Sequence, residues 1–263
     1  MNSTSTELAT LFIGRNVLEF GTLDSANSYA LSLLAGPSKT PEGTVIMASE
    51  QRAGRGQAFT HWVSEPGQNL LLSVVLYPHF VDPSTIFLLS QAISLGVHDA
   101  LKELLGQEVH IKWPNDIYYG DRKICGLLIE NSIRAMHLNH SVVGIGINVN
   151  QEDFPETLPN PVSVKNILGK ATDLKRVFHL LCNHLEKRYL QLKAGQAREI
   201  KADYLKSLYR FNEDHTFEYG GQKFKAKIID VGDDGKLVLE YGNNLTGRYD
   251  FKTIHFVLSE EKN

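Results

Sequence analysis

The chain predicts an α+β fold: a mixed or antiparallel sheet with packed helices, followed by a small C-terminal β-barrel. Three observations lead there. Residues 82–105 repeat apolar side chains at helical spacing. The apolar runs between 109 and 149 follow one another too closely to leave room for crossover helices. After residue 213 the pattern changes to short alternating segments. The expected division is 1–212 for the larger domain with its trailing helices and 213–263 for the barrel.

In order, a strand is expected over 17–20, and then a helix to about Leu34, capped by Asp24 or Ser25 and ended by Gly36-Pro37. A buried strand follows over 44–48, a polar, glycine-bearing stretch over 51–67 and a strand over 70–76. Asp82-Pro83 opens a helix that runs to Leu105 and stops at Gly106, with Phe87, Leu88, Ile93, Val97, Leu101 and Leu104 inward. Strands over 109–113, 124–131 and 141–149 complete the sheet, with the helices on one side. A proline-rich loop over 154–161 leads to helices over 172–192 and 196–210. The barrel strands are expected over 216–219, 222–230, 236–241, 246–250 and 255–258, with a tight turn at Asp233-Asp234-Gly235.

With 263 residues, 42% hydrophobic, 22% charged and a net charge near -3, the chain has room for a real core and shows no basic excess of the kind a nucleic-acid binder carries. No apolar run reaches membrane-spanning length, and the N-terminus lacks the pattern of a secretory signal, so a cytoplasmic protein with no membrane or nucleic-acid partner is expected. Cys125 and Cys182 are too few for a disulfide framework, and Cys125, between Ile124 and Gly126, reads as buried filler. The ten histidines form no metal-ligand motif.

Two segments carry chemistry. Lys112, Trp113, Pro114, Asn115, Asp116 and Lys123 crowd between apolar flanks, a mixture that is costly to bury in a purely structural hairpin and useful in a cleft. A tight turn at Tyr119-Gly120-Asp121 brings Lys123 back beside Asp116, where its amine can stabilise charge on an acyl or phosphoryl oxygen. A solvated strand-entry lysine is the plain alternative. Asp116 orients that amine or helps hold Mg²⁺ on a nucleotide, and Trp113 is either a core aromatic or an apolar wall. In the second segment, Gly54-Arg55-Gly56 sets a fixed positive charge between residues that let backbone approach a ligand; the alternative is a surface loop. Gly144 and Gly146 in an apolar strand suggest close contact with a ligand or with backbone, the plain alternative being a twist or packing role, and alternation puts Asn148 on their face.

Together these residues make a pattern. Asp24-Ser25-Ala26-Asn27, Gln51-Arg52-Ala53-Gly54-Arg55-Gly56-Gln57 with Trp62, Lys112-Trp113-Pro114-Asn115-Asp116, Lys123-x-x-Gly126-Leu127-Leu128-x-Glu130 and Gly144-Ile145-Gly146-Ile147-Asn148 occur in this order. The chain so resembles the biotin protein ligases, also called holocarboxylase synthetases, over almost its whole length. The resemblance implies the biotin/lipoate ligase fold, related to class II aminoacyl-tRNA synthetases, with a small SH3-like barrel. It also implies a two-step reaction: biotin and MgATP give biotinyl-5'-AMP and pyrophosphate, then a lysine of a biotin carboxyl carrier domain takes the biotin and AMP leaves.

The resemblance gives Ser25, Ala26, Asn27 and Gln51 to the biotin ureido end, and Gly54, Arg55, Gly56 and Gln57 to the loop closing over biotin and the adenylate. It gives Lys123, with Gly126 beside it, to the carboxylate and the reacting oxygens. Lys112, Trp113, Asn115 and Asp116 fall at the ATP phosphates and metal, and Asn148 in the adenine and acyl region. Lys123 and Arg55 are the expected catalytic residues. The chain departs from the family at Ala26, commonly threonine, and at Ala58-Phe59, commonly Arg-Gly. The short stretch before Val17 leaves no room for a DNA-binding helix-turn-helix domain, so a monofunctional ligase, monomeric or homodimeric, is expected. The rivals are a lipoate or octanoate enzyme of the same superfamily and a catalytically weak biotin-binding protein.

Overall fold

A computed structural model describes residues 7–56 and 60–257. The chain runs β1 (Val17–Leu23), α1 (Ala26–Ala35), β2 (Val45–Gln51), β3 (Leu70–Leu76), α2 (Phe87–Leu105), β4 (Val109–Lys112), β5 (Asp116–Tyr119), β6 (Arg122–Arg134) and β7 (His137–Ile147). It continues with α3 (Val164–Leu168), α4 (Leu174–Lys193), α5 (Ala197–Lys206), β8 (Asp214–Tyr219), β9 (Gln222–Val231), β10 (Leu237–Tyr241), β11 (Leu245–Tyr249) and β12 (Ile254–Phe256). None of the helices described is long and apolar enough to cross a membrane.

Seven strands form one sheet in the order β1-β2-β3-β7-β6-β5-β4. Every pairing in it is antiparallel except β1 with β2, which run parallel and are joined by α1 as a crossover helix. Ser25 is the N-cap of α1, its Oγ accepting from the Ser28 N–H. Asp82 caps only a short 3-10 turn at Pro83–Thr85, and the long helix α2 begins beyond it.

Alternation along the strands makes two apolar layers. Leu72, Val74, Val143, Ile145 and Ile147 pack on the side where α2 meets α4. Ile46, Val75 and Val142 pack with Ala26 and Ala30 of α1 on the other side. Helices therefore cover both faces, not one, because the single parallel pair forces its crossover helix onto the face that α2 and α4 leave open.

The C-terminal strands require a second correction. They form an open five-stranded sheet in the order β11-β10-β9-β8-β12, and no SH3-like barrel. Closure needs the first and last strands of the order to pair. Here β12 is three residues long and pairs with β8, while β11 pairs with β10, so the two edges do not meet among the described residues. The expected turn is present: the Gly235 N–H donates to the Gly232 carbonyl, with Gly235 at φ +80°. That turn abuts the larger sheet, since the Trp113 indole N–H donates to the Gly235 carbonyl at 2.9 Å. The final helix ends at Lys206 rather than 210, and the chain beyond it runs alongside β4, with the Tyr209 N–H on the Ile111 carbonyl.

Candidate functional site

On the α1 face of the larger sheet, the alternation that buries Val143, Ile145 and Ile147 turns Gly144 and Gly146 outward, and β6 places Gly126 directly across from Gly146. Two strands thus present bare backbone at three positions as the floor of a cavity of about 250 Å³. Each glycine is under a neighbour. A Cβ on Gly144 would lie 2.4 Å from Asn27 Oδ1, and one on Gly146 or Gly126 would lie 2.6 or 2.8 Å from the Trp62 ring. The indole rests on the floor, and its buried Nε1–H has no partner among the described residues.

The polar end of the cavity comes from α1 and its neighbours. Asn27, in the first turn of α1, accepts from the Ser73 hydroxyl and donates to the Leu128 carbonyl (3.2 Å) and to Glu130 Oε2 (2.9 Å). Gln51, at the end of β2, accepts from the Ala26 N–H at 2.8 Å. The loop after β2 folds into a narrow hairpin stem: the Gly56 N–H donates to the Thr60 carbonyl and the Trp62 N–H to the Gly54 carbonyl. From that stem Arg55 reaches Glu130 as a bidentate pair, at 2.8 and 3.0 Å.

At the opposite end Lys123 Nζ donates to Asp116 Oδ2 at 2.7 Å. Their positions follow from the β5–β6 hairpin, whose register pairs Tyr118 with Lys123. Burial pulls the Lys123 amine down, but the Asp116 carboxylate and its hydrogen bond outweigh that and hold it above the ordinary lysine range. The amine is therefore a fixed positive charge at neutral pH. Burial, with the Lys123 and Arg210 charges nearby, draws Lys112 the other way, below the lysine range, against the pull of Asp116.

A second cavity of about 280 Å³ adjoins the first and shares Trp62, Asp116 and Lys123 with it. Its walls are Tyr118, Asn148, Phe154 and the proline-rich loop. Asn148 donates to the Val162 carbonyl, while its buried Oδ1 has no partner among the described residues. The two chambers meet where the Lys123–Asp116 pair stands.

Of the residues singled out in the sequence, Ser25, Asn27, Gln51, Arg55, Gly56, Asp116, Lys123 and Gly126 line the first cavity, and Asn148 lines the second. Ala26 belongs to the apolar layer under α1 and Gly54 lies beneath the Trp62 backbone. Lys112 turns aside, its Nζ 3.1 Å from the Tyr118 hydroxyl and over the Phe256 ring. Trp113 is 4% exposed, belongs to the apolar core and braces the two sheets. Asn115 is buried and lines neither cavity. Gln57 and the Ala58-Phe59 departure lie outside the described residues. Cys125 is fully buried, with its thiol pushed far up by burial, in keeping with filler. Among the described residues no group of three or more His, Cys, Asp or Glu is placed to hold a metal.

The sequence names Trp62 and Glu130 only as members of the motifs, with no role, and singles out neither Ser73 nor Phe251, yet all four stand at or over the first cavity. Ser73 is a lone hydroxyl in an apolar strand, and Glu130 is a charge four residues beyond Gly126, so both left a signal. Phe251 left none; the folding back of the second sheet brings it there.

Residues 23–148 match the biotin/lipoate A/B protein ligase family. The bifunctional ligase/repressor BirA of Bacillus subtilis is 28% identical over 248 residues, 92% of this chain and 74% of its own. The biotin–[acetyl-CoA-carboxylase] ligase of Paracoccus denitrificans is 30% identical over 222 residues, 82% of this chain and 90% of its own. The biotin protein ligase of Aquifex aeolicus, solved in complex with biotin and ATP, superposes with a TM-score of 0.71 at 25% identity, over 93% of this chain and 96% of that one. A likeness that spans nearly all of a curated ligase, and that brings the ordered motifs to one face of one sheet, means that the chain belongs to the biotin protein ligase family.

Proposed function

We propose that the protein attaches biotin to a lysine of a biotin carboxyl carrier domain, through biotinyl-5'-AMP, in the cytoplasm. The observation that carries this reading is the meeting of two chambers at the Lys123–Asp116 pair. A substrate pair joined through a mixed anhydride needs that layout: one slot for the acid, one for the nucleotide and a fixed cation at the junction.

The ureido ring sits at the polar end, between Asn27, Gln51 and Ser25, with its ring system along the glycine floor and the Trp62 edge. The adenine occupies the second chamber, where the unpartnered Asn148 Oδ1 takes an N–H from the exocyclic amine. A biotin carboxylate oxygen attacks the α-phosphorus; the bond to the bridging oxygen breaks, and pyrophosphate leaves with the electron pair. Lys123 stabilises the negative charge building on the phosphoryl and acyl oxygens, and Asp116 keeps its amine charged and aimed. In the second step the neutral amine of the carrier lysine attacks the acyl carbon, AMP departs with the bridging oxygen and the amine loses a proton. Arg55 and the loop it belongs to keep water from the anhydride in between.

Magnesium enters with the nucleotide. A Mg²⁺ ion on phosphates and water needs only one or two protein carboxylates, and Asp116 at the junction fits that role. Lys112, on the far side of Tyr118, serves the cationic surroundings of the phosphates rather than the reacting atoms.

The test is pyrophosphate release from labelled ATP with biotin, lipoate or octanoate supplied separately. Release that depends on biotin, with biotinyl-AMP retained on the protein, is expected. Release driven by lipoate or octanoate instead assigns the chain to the lipoate side of the family and contradicts this reading.

A further inference from the structure

Glu130 does something that the two-step reaction does not by itself require. Its Oε1 accepts from Arg55 Nη2 at 2.8 Å, while its Oε2 accepts from Arg55 Nη1 at 3.0 Å and from Asn27 Nδ2 at 2.9 Å. Arg55 arrives on the loop after β2 and Asn27 on the first turn of α1, so one carboxylate on β6 fastens both to the sheet, beyond the Ala26–Gln51 and Ala53–Asp24 hydrogen bonds that join the two elements at their bases. Arg55 is not on a free strand of loop. Its neighbours Gly54 and Gly56 close the hairpin stem with Trp62 and Thr60, and the stem carries the indole that covers Gly126 and Gly146. Holding Arg55 therefore holds the stem and the cover together. The guanidinium has five N–H donors and gives two to Glu130, which leaves three for an anion inside the cavity.

We infer that Glu130 is a positioning residue: from a point it shares with Asn27 it holds Arg55, and so latches the stem that Gly54 and Gly56 form with Trp62 and Thr60 over the first chamber. The inference rests on the biotin-ligase reading of that chamber. The latch is reversible by construction. Arg55 keeps 44% of its side-chain surface exposed and Glu130 24%, so the pair is open to screening by salt and is weak enough to part for substrate entry and product exit. Asn27 is the opposite case: it is 3% exposed and held by Ser73 and Leu128 as well, so it stays in place when the latch opens.

Wild type, Glu130→Gln and Glu130→Asp are compared for three quantities: the rate of biotin-dependent pyrophosphate release, the escape of biotinyl-AMP from the loaded protein and the midpoint of thermal unfolding. Escape is measured at low salt and at about 1 M salt, where the screening length falls to ~3 Å. Glu130→Gln is expected to lose biotinyl-AMP roughly fivefold faster than wild type, the weight of one exposed bidentate pair. Salt accelerates escape from wild type towards the rate of Glu130→Gln and leaves Glu130→Gln itself unchanged. Glu130→Asp, which keeps the charge on a shorter stem, falls between them and keeps part of the salt response.

Equal escape from wild type and Glu130→Gln at both salt concentrations overturns the latch, as does a lowered unfolding midpoint with unchanged escape, which makes the pair structural only. Wild-type pyrophosphate release stands in both those cases and keeps the reading of the site intact. Wild-type protein without biotin-dependent release contradicts the site reading, and the latch with it.

Discussion

The two faces of strand β7 are built to different rules. Val143, Ile145 and Ile147 are 0–3% exposed and fill the layer under α2 and α4, whereas Gly144 and Gly146, one residue away, carry no side chain and open the floor of the cavity. The same division holds in β3, where Leu72 and Val74 face the core and Ser73 between them hydrogen-bonds Asn27. One face is optimised for volume and the other for approach. A fold can therefore carry a site without weakening its core, because the two-residue period of a strand separates the two demands within a single segment.

Substitutions that touch one face only should separate chemistry from stability. The largest effect is expected for Lys123→Ala, which removes the fixed charge from the chamber junction. Adenylate formation should fall by about 10²–10³-fold, and the unfolding midpoint should move little, since the pair is about one-third exposed. Near-normal pyrophosphate release from that variant would take Lys123 out of the reaction. Ile145→Ala, on the core face, should cost ~2–5 kcal/mol of stability in denaturant unfolding, while the activity of the folded fraction stays close to wild type.

Gly144→Ala reverses that outcome. The added methyl meets Asn27 Oδ1, so the Michaelis constant for biotin should rise roughly tenfold, or ~1.4 kcal/mol, with a smaller loss of stability. An unchanged constant would mean that Asn27 can shift without consequence. Trp113→Phe keeps most of the packing and removes the hydrogen bond to Gly235, so a loss of ~1 kcal/mol in unfolding free energy is expected, with no change in biotin binding.

The smallest effect is that of pH. Lys123 has its folded-state value raised above the unfolded one, so the stability it contributes is complete below the ordinary lysine range and is lost as pH rises through the folded value. Activity that depends on its charge should be flat from pH 7 to about pH 9 and fall only beyond the ordinary lysine pKa of ~10.4. A Lys123-dependent inflection near neutrality, traced by comparing wild type with Lys123→Arg, would show that Asp116 does not hold the amine charged.

Much of this division was legible in the sequence. Alternation in 141–149 by itself separates glycine from branched residues, and the Tyr119-Gly120-Asp121 turn is enough to return Lys123 to Asp116. What was not legible depended on contacts between distant segments. Whether the last strands close is decided by which strand β12 pairs with, and nothing within its three residues records that. Local spacing likewise fails to separate Lys112 from Lys123. Both flank Asp116, yet the β5–β6 hairpin aims one at the carboxylate and leaves the other over aromatic rings. The cover formed by Trp62 has the same origin, since its floor comes from strands more than sixty residues away.

The most direct test is the intact mass of an apo biotin-carrier domain after incubation with biotin, ATP and Mg²⁺, using wild-type protein and Lys123→Ala side by side. The account predicts a biotin-sized gain on a single carrier lysine with wild type, and almost none with a folded Lys123→Ala protein over the same time. No gain with wild type, or equal gains with both, would contradict it.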